Sequence, residues 1–187
     1  MSNWSPGGGG GAGGAAPLLD STLAAPAASF DISGLSLAAY LYVELIAKLR
    51  VTGVGQGAGF DHMQLQFNGD GGNNYNFGQG NEDGTFGLGT VGGPTMPNMV
   101  LGHATTSGST AGYYTWNRAL LWLPGSADAV KSVRADSVLN IEGTAHQIAN
   151  MAIGVWYSAA PINRVTVFSG SGQTWAAGSR LLLRGWS

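Results

Sequence analysis

Apolar and polar residues alternate along two neighbouring stretches of the chain. From 40 to 50 the odd-numbered positions are apolar, while the even-numbered positions include Glu44 and Lys48. From 61 to 68 apolar residues again alternate with polar ones. A two-residue period is typical of a half-buried β-strand. Because the Gly-rich run 53–59 joins the two stretches, we predict an antiparallel hairpin with one face in solvent.

One of these stretches also has a helical interpretation. Residues 37–48 place Glu44 and Lys48 at i,i+4 spacing, which stabilises helices. Six strictly alternating apolar positions favour the strand. Residues 127–133 could likewise form one helical turn, although a strand from 130 to 138 is favoured. The other predicted strands lie at 29–32, 99–106, 113–123, 146–157, 164–168 and 180–186.

The segments between these strands are rich in turn-forming residues. We expect residues 18–29 to be a connector, with one short helical turn at most. The Asn- and Gly-rich stretch from 68 to 98 is longer than an ordinary loop. Its length predicts either short strands within it or a long loop that takes part in binding. The last two strands are predicted to pair across the 169–179 loop. About eight strands with almost no helix predict an all-β sandwich or barrel.

The composition indicates one domain with a partly covered exterior. A chain of 187 residues can bury enough surface for a single core. Charged residues make up only 10% of the chain, and 32 residues are Gly, far above the usual share of about 7%. So few charges suggest that other subunits cover part of the surface. We therefore expect residues 29–187 to form the domain, preceded by an arm and connector at 1–28.

Charge and cysteine content exclude several classes of partner. A formal net charge of -2 provides no basic face for nucleic acid or an anionic membrane. There is no Cys, so no disulfide or thiolate metal site can form. The longest uncharged apolar run, 35–43, falls short of the roughly 20 residues that span a bilayer. The first basic residue is Lys48, which leaves no basic region for a secretory signal, so we expect a soluble protein made in a cytoplasm.

The N-terminal arm contains one conspicuous side chain. Residues 1–17 are mostly Gly and Ala, which predicts a flexible segment unless a partner orders it. Trp4 stands near its tip. It is a candidate anchor to a neighbouring protein, and the alternative is an incidental Trp in a solvated tail.

Three segments, taken together in order, resemble a known class of proteins. They are Ser-Phe-Asp-Ile-Ser-Gly-Leu at 29–35, Leu-Gln-Phe-Asn-Gly-Asp at 65–70 followed by Asn74 and Tyr75, and the closing strands at 162–168 and 175–186. This set is similar to the small β-sandwich modules of tailed-phage and prophage virion proteins. The resemblance implies a jelly-roll-like head-fibre, decoration or tail-fibre protein, commonly trimeric, on the exterior of the particle.

The sequence departs from that pattern in two places. Residues 35–39 are more apolar than usual, and Trp186 stands where a smaller aliphatic residue is common. Both departures suggest additional burial against neighbours. Whether such a protein sits on the capsid or the tail stays open.

Signatures of enzymes and cofactors are weak. The run 53–58 matches the dinucleotide fingerprint, but a strand is predicted to follow it where that fingerprint requires a helix. Glu82 and Asp83 could serve a glycosidase only beside a second acid. His62, His103 and His146 are far apart in sequence and are expected at the surface or an interface. We therefore predict no enzyme and no cofactor.

Two oxygen-rich turns are candidate sites for a hard cation such as Ca²⁺. They lie at 68–74 and 81–84, and both contain Asn, Asp or Glu with Gly. Neither matches a complete calcium-binding loop. Ordinary turn chemistry is the favoured explanation.

Aromatic residues are the remaining candidates for function. Most are expected in the core or at a subunit interface, and the alternative is stacking on host sugars. Trp175, in a Gly/Ser-rich loop, is expected to be the most exposed. Trp175, Tyr113 and Tyr114 are the candidates for glycan or subunit contact.

The sequence thus supports two functional hypotheses. The first is a non-enzymatic virion structural protein, a homotrimer anchored through its N-terminal arm to other virion proteins of the capsid or tail. The alternative is a carbohydrate-binding module that attaches the particle to host surface glycans. Neither involves nucleic acid or membrane insertion.

Overall fold

The computed structural model describes residues 15–55, 59–81, 95–109, 112–122, 124–127, 130–140 and 147–187. These residues form β-strands and no helix. The strands are β1 (Ala16–Thr22), β2 (Ser29–Ile32), β3 (Tyr42–Leu49), β4 (Phe60–Phe67), β5 (Tyr75–Asn81), β6 (Met99–Thr105), β7 (Thr115–Trp122), β8 (Lys131–Asn140), β9 (Gln147–Trp156), β10 (Val165–Ser169) and β11 (Arg180–Trp186). The all-β prediction is therefore confirmed for the described part of the chain.

The strands form two antiparallel sheets. The larger sheet has seven strands in the order β1-β11-β3-β7-β8-β9-β5. The smaller has four in the order β2-β10-β4-β6. Buried side chains from both sheets form one apolar cluster, and β6 packs across β7, β8 and β9. The arrangement is consistent with a β-sandwich.

The strand pairs are nested within one another along the chain. With β5, β8 and β9 set aside, the first remaining strand pairs with the last, the second with the second-last, and so on inward. The pairs are β1 with β11, β2 with β10, β3 with β7, and β4 with β6. The contacts of β11 with β3 and of β10 with β4 join these pairs into the two sheets. Strands β8, β9 and β5 extend the larger sheet beyond β7.

The predicted central hairpin is wrong in its pairing, although both strands exist. Strand β3 lies in the larger sheet between β11 and β7, whereas β4 lies in the smaller sheet between β10 and β6. Each presents one apolar face to the same core, so the alternation is identical whether the strands pair or face each other. The link between them crosses from one sheet to the other, and its Val51 N–H donates to the carbonyl of Thr105 (2.8 Å).

The predicted pairing of the last two strands fails in the same way. Strand β10 lies in the smaller sheet and β11 in the larger one. The loop between them folds against other segments, because Ala176 N–H donates to the Arg50 carbonyl (2.7 Å) and Gly178 N–H to the Leu23 carbonyl (2.8 Å).

The predicted connector at 18–29 contains most of an edge strand. Strand β1 pairs with β11, and Leu18, Leu19 and Leu23 pack against the core. Pro17 lies at a register shift of this strand. An edge strand tolerates a residue without an N–H, so Pro17 is compatible with the sheet. Strand β5 likewise occupies the start of the long Asn- and Gly-rich stretch.

Close packing of the two sheets requires small residues at particular points. At Gly154 of β9, an added Cβ would lie 2.3 Å from Met99 Sδ. The large buried side chains Trp156, Tyr75 and Phe67 contact one another in the core, with the Trp156 and Tyr75 rings stacked and Phe67 tilted against both. The larger sheet therefore has an inner face filled by the core and an outer face that carries the features described next.

Candidate functional site: an aromatic depression beside an exposed sheet face

Trp175 does not lie where its Gly/Ser-rich context predicted. Its side chain is 0% exposed. The indole N–H donates to the carbonyl of Val167 (3.0 Å), and its backbone exchanges two hydrogen bonds with Ala27. The prediction of an exposed Trp175 is wrong, because the loop pairs with neighbouring segments and turns the ring into the core. Trp175 is not available for glycan or subunit contact.

Tyr113 and Tyr114 do lie together at the surface. With Trp116, Lys48 and Gly112 they line an open depression of about 380 Å³. The side chain of Tyr113 is 41% exposed and that of Trp116 is 54% exposed. We call this feature the aromatic depression.

Tyr114 is the most constrained of the three aromatic residues. Its hydroxyl donates to the carbonyl of Ala177 (2.8 Å). Lys48 Nζ lies 4.0 Å from the centroid of its ring, a cation–π contact. Gly178 adopts φ +83°, and an added Cβ there would lie 2.5 Å from the Tyr114 hydroxyl. The ring is thus held at its hydroxyl and over one face.

The backbone before Tyr114 is also held in place. The carbonyl of Tyr113 accepts hydrogen bonds from Thr105 Oγ1 (3.0 Å) and Arg50 Nη1 (3.4 Å). Arg50 Nη2 donates to the carbonyl of Ser109 (2.8 Å) as well. These contacts preorganise the depression, which lowers the entropy lost when a ligand binds.

The aromatic depression continues into the outer face of the larger sheet. Trp116 of β7 lies opposite Lys48 of β3 on one side and Val138 of β8 on the other. Residues that share this register point to the same face of the sheet.

Strands β7, β8 and β9 expose apolar side chains on that outer face. Charged residues stand between them: Arg118 is paired with Glu44, and Arg134 lies 3.8 Å from Asp136. A mixture of Trp, Met and Arg is typical of subunit interfaces. We call this surface the outer β7–β9 face; its exposed apolar residues are Trp116, Trp122, Val138, Met151 and Ile153.

Two of the three histidines meet in the fold. His62 of β4 and His103 of β6 are directly opposed, with ring centroids 5.3 Å apart, and Phe60 packs edge-on against both. His103 is 2% exposed, so the expectation of a surface or interface histidine is wrong for this residue. Burial, and then the neighbouring His62, lowers the pKa of His103 to about 4. Burial also lowers the pKa of His62, against the opposing effect of Asp61.

Asp61 and two serines do not form a hydrolytic triad. The Asp61 carboxylate accepts hydrogen bonds directly from Ser169 Oγ and Ser171 Oγ, whereas a triad places a histidine between acid and nucleophile. Asp61 is also fully buried. The contacts close the turn after β10, in which Ser169 Oγ accepts from Gln173 N–H (3.0 Å).

The turn at 68–74 uses its oxygen atoms internally. The Asp70 carboxylate accepts hydrogen bonds from Gly72 N–H (3.0 Å), Asn74 Nδ2 and Trp156 Nε1 (2.7 Å). Asn68 Oδ1 accepts from the backbone of Asn163 (2.9 Å). Among the described residues, no group of three or more His, Cys, Asp or Glu could hold a metal ion. Ordinary turn chemistry therefore accounts for these contacts.

Several sequence candidates lie outside the described residues. They are Trp4, Glu82, Asp83, His146 and most of the turn at 81–84.

Comparisons with known proteins found no match to the chain among family models, curated proteins or solved structures. The resemblance to virion modules therefore stays a prediction. Within the described ranges, no helix has the length and apolarity needed to cross a membrane.

Sequence reasoning missed the outer β7–β9 face and the part that Lys48 and Trp116 play in the aromatic depression. The available signal was in β7, where Trp116, Leu120 and Trp122 alternate with Ala119 and Leu121. A strand that is apolar on both faces needs a packing layer against each face. Only the sheet order shows that the second face has no covering layer among the described residues.

Proposed function

We propose that the protein is a non-enzymatic structural component of a virus particle, built on a jelly roll and assembled as a homo-oligomer. The nested strand pairing described above supports the jelly-roll assignment, since this topology arises when a long antiparallel hairpin wraps into two sheets. Jelly rolls occur in viral capsid and lectin domains. The virion assignment rests further on the sequence resemblance.

The outer β7–β9 face is the observation that carries the assembly proposal. Val138, Ile153 and Met151 are 61%, 49% and 42% exposed on β8 and β9. Several exposed apolar side chains on one face of a sheet favour a subunit contact there, and the charged residues among them fit the mixed composition of such contacts. A subunit contact on this face would also explain the low proportion of charged residues, because a covered surface is not exposed to solvent.

A trimer displayed on the exterior of a capsid or tail is the form of assembly that we propose. In this form, the N-terminal arm with Trp4 tethers the domain to another virion protein. The arm is rich in Gly, which suits a tether, and a single Trp suits an anchor because aromatic residues concentrate in the cores of protein interfaces.

Light scattering after size-exclusion chromatography tests the assembly. We expect wild-type protein to have the mass of an oligomer and Ile153→Glu to have the mass of a monomer. Ile153 lies opposite Arg134 in the register, so the introduced carboxylate has a partner in the isolated subunit. Val54→Glu is the matched control, because Val54 is 74% exposed elsewhere. A wild-type monomer would contradict the proposal.

A second candidate function is attachment to a surface glycan through the aromatic depression. Three aromatic rings in a preformed depression favour it, because sugar-binding sites use aromatic faces as platforms. This function is compatible with assembly if the depression stays open at the edge of the contact.

A further inference from the structure

We propose that the aromatic depression binds an anionic sugar, with the sugar ring against Trp116 and Tyr113 and the carboxylate or phosphate at Lys48. This inference rests on the second candidate function and specifies its ligand. The reasons are the aromatic lining of the depression, the charge of Lys48, which has no carboxylate partner within the described part of the chain, and the hydrogen bonds that hold the backbone beside it.

The rings provide an apolar platform of suitable size. Small-molecule sites have volumes of roughly 300–1,000 Å³ and combine apolar walls with few polar groups. The depression, at about 380 Å³, lies at the lower end of that range. Lys48 covers one face of Tyr114, so the exposed ring surface belongs mainly to Tyr113 and Trp116.

Lys48 differs from the other cations on the outer side of the larger sheet. Each of the four arginines there has a carboxylate partner: Arg118 and Arg184 pair with Glu44, Arg134 with Asp136, and Arg180 with Asp20. Lys48 forms no ion pair with any described residue, and its ammonium lies on the Tyr114 ring. It therefore supplies an uncompensated positive charge at the rim of an aromatic platform.

A ligand that satisfies both features must carry an apolar ring face and a negative charge. A uronic acid or a phosphorylated sugar does so. A single-stranded nucleic acid offers bases and phosphates, but its binding sites line a basic groove that follows the backbone. The protein has a formal net charge of -2, and the depression contains a single lysine. These charges favour a short anionic saccharide.

Isothermal titration of the full chain tests the proposal with four probes: tri-galacturonic acid, the neutral galactotriose, glucose 6-phosphate and single-stranded oligo-dT. We expect tri-galacturonic acid or glucose 6-phosphate to bind about tenfold more tightly than galactotriose, with the better of the two identifying the charged group. Lys48→Gln should remove this preference and Lys48→Arg should restore it. Trp116→Ala should abolish binding of both neutral and anionic sugars.

Trp122→Ala is the matched control, because Trp122 lies on the same strand and outer face but outside the depression. It should leave every affinity unchanged. Equal binding of neutral and anionic sugars, with no effect of Lys48→Gln, would overturn the anionic specificity while leaving glycan attachment intact. No binding of any sugar would overturn both.

The mass of each variant distinguishes a sugar site from a subunit contact. We expect Trp116→Ala to keep the oligomeric mass of the wild type. A lower mass, with no sugar bound by the wild type, would make the depression part of the interface and overturn the proposal. Tighter binding of oligo-dT than of either anionic sugar would overturn it in favour of nucleic acid.

Discussion

At the scale of single residues, the two fully buried tryptophans, Trp156 and Trp175, each have an acceptor for the indole N–H. The indole N–H of Trp175 donates to the Val167 carbonyl, and that of Trp156 donates to the Asp70 carboxylate. A buried indole N–H without an acceptor would cost about 1–3 kcal/mol. Trp116 needs no such partner, because it is half exposed.

Replacing Trp175 should therefore affect stability. We expect Trp175→Ala to lower the free energy of unfolding by about 3–5 kcal/mol, through loss of buried contacts and the remaining cavity. Trp175→Phe should cost less, because it removes mainly the hydrogen bond to Val167. Urea denaturation followed by circular dichroism measures both. Trp116→Ala serves as the exposed control; an equal loss for this variant would contradict the assignment.

The burial of His103 makes stability depend on pH. The pKa of His103 is about 4 in the folded protein against an ordinary value of 6.5. As pH falls below 6.5, the unfolded chain takes up a proton that the folded chain does not, so unfolding becomes easier. Stability is therefore full above pH 6.5 and decreases towards pH 4.

We expect the free energy of unfolding to fall by about 2 kcal/mol from His103 alone between pH 7.5 and pH 5. His103→Gln should flatten this dependence, whereas Ser132→Ala, at an exposed position of β8, should leave it unchanged. Urea midpoints at a series of pH values provide the measurement. A wild type with the same stability at both pH values would show that His103 is solvated.

At the scale of elements, a side chain completes the hydrogen bonding of an edge strand. Strand β6 ends the smaller sheet, and its outer edge faces the inner side of β7. There Asn117 Oδ1 accepts from His103 N–H (3.0 Å) and Asn117 Nδ2 donates to the His103 carbonyl (2.9 Å). The amide thus replaces one residue of a neighbouring strand. Gly102 permits this approach, since an added Cβ would lie 2.1 Å from Asn117 Oδ1.

Asn117→Ala should leave two buried backbone groups without partners. We expect the free energy of unfolding to fall by about 2–4 kcal/mol, since each unpaired group costs about 1–3 kcal/mol. Asn117→Asp retains the acceptor for the His103 N–H but loses the donor, so its effect should differ from that of the Ala variant. Thermal denaturation and hydrogen exchange at His103 report both losses. Unchanged exchange at His103 in the Ala variant would contradict this role.

At the scale of the whole molecule, nested pairing makes the fold depend on contacts between distant parts of the chain. The first and last strands are direct neighbours, and β1 covers the edge of β11. The ion pair of Asp20 with Arg180 spans them, but both side chains are about half exposed. Such pairs contribute less than about 1 kcal/mol, so the apolar contacts of β1 matter more.

Removing residues 1–22 should consequently destabilise the remainder of the chain. We expect a loss of at least about 2 kcal/mol from the apolar contacts of Leu18 and Leu19. Asp20→Asn should cost less than about 1 kcal/mol. Urea denaturation compares the two variants with wild type. A truncated chain of unchanged stability would mean that β1 is dispensable and that the domain begins after it.

Part of this architecture follows directly from residue patterns. The alternation in β3 and β4 was sufficient to predict strands there, because a strand with one buried face must alternate. The apolar residues Leu45 and Leu65 were correctly interpreted as inward-facing. The exposure of Tyr113 beside turn-forming residues was also predictable.

Other features depended on partners that are remote in sequence. Whether β3 pairs with β4 or faces it depends on β11 and β7, which lie more than 60 residues away. Trp175 is buried because Ala27 and Val167 supply its hydrogen bonds. Lys48 reaches the aromatic depression because β3 pairs with β7 in one register.

The sequence by itself determined the class of fold and the inner faces of β3 and β4, because periodicity is a local property that burial imposes on each strand. Only the tertiary structure decided which strands pair, which tryptophans are buried and which apolar face is left uncovered. Those outcomes depend on hydrogen-bond partners and packing layers that distant segments contribute. They therefore cannot be predicted from the residue pattern within one strand.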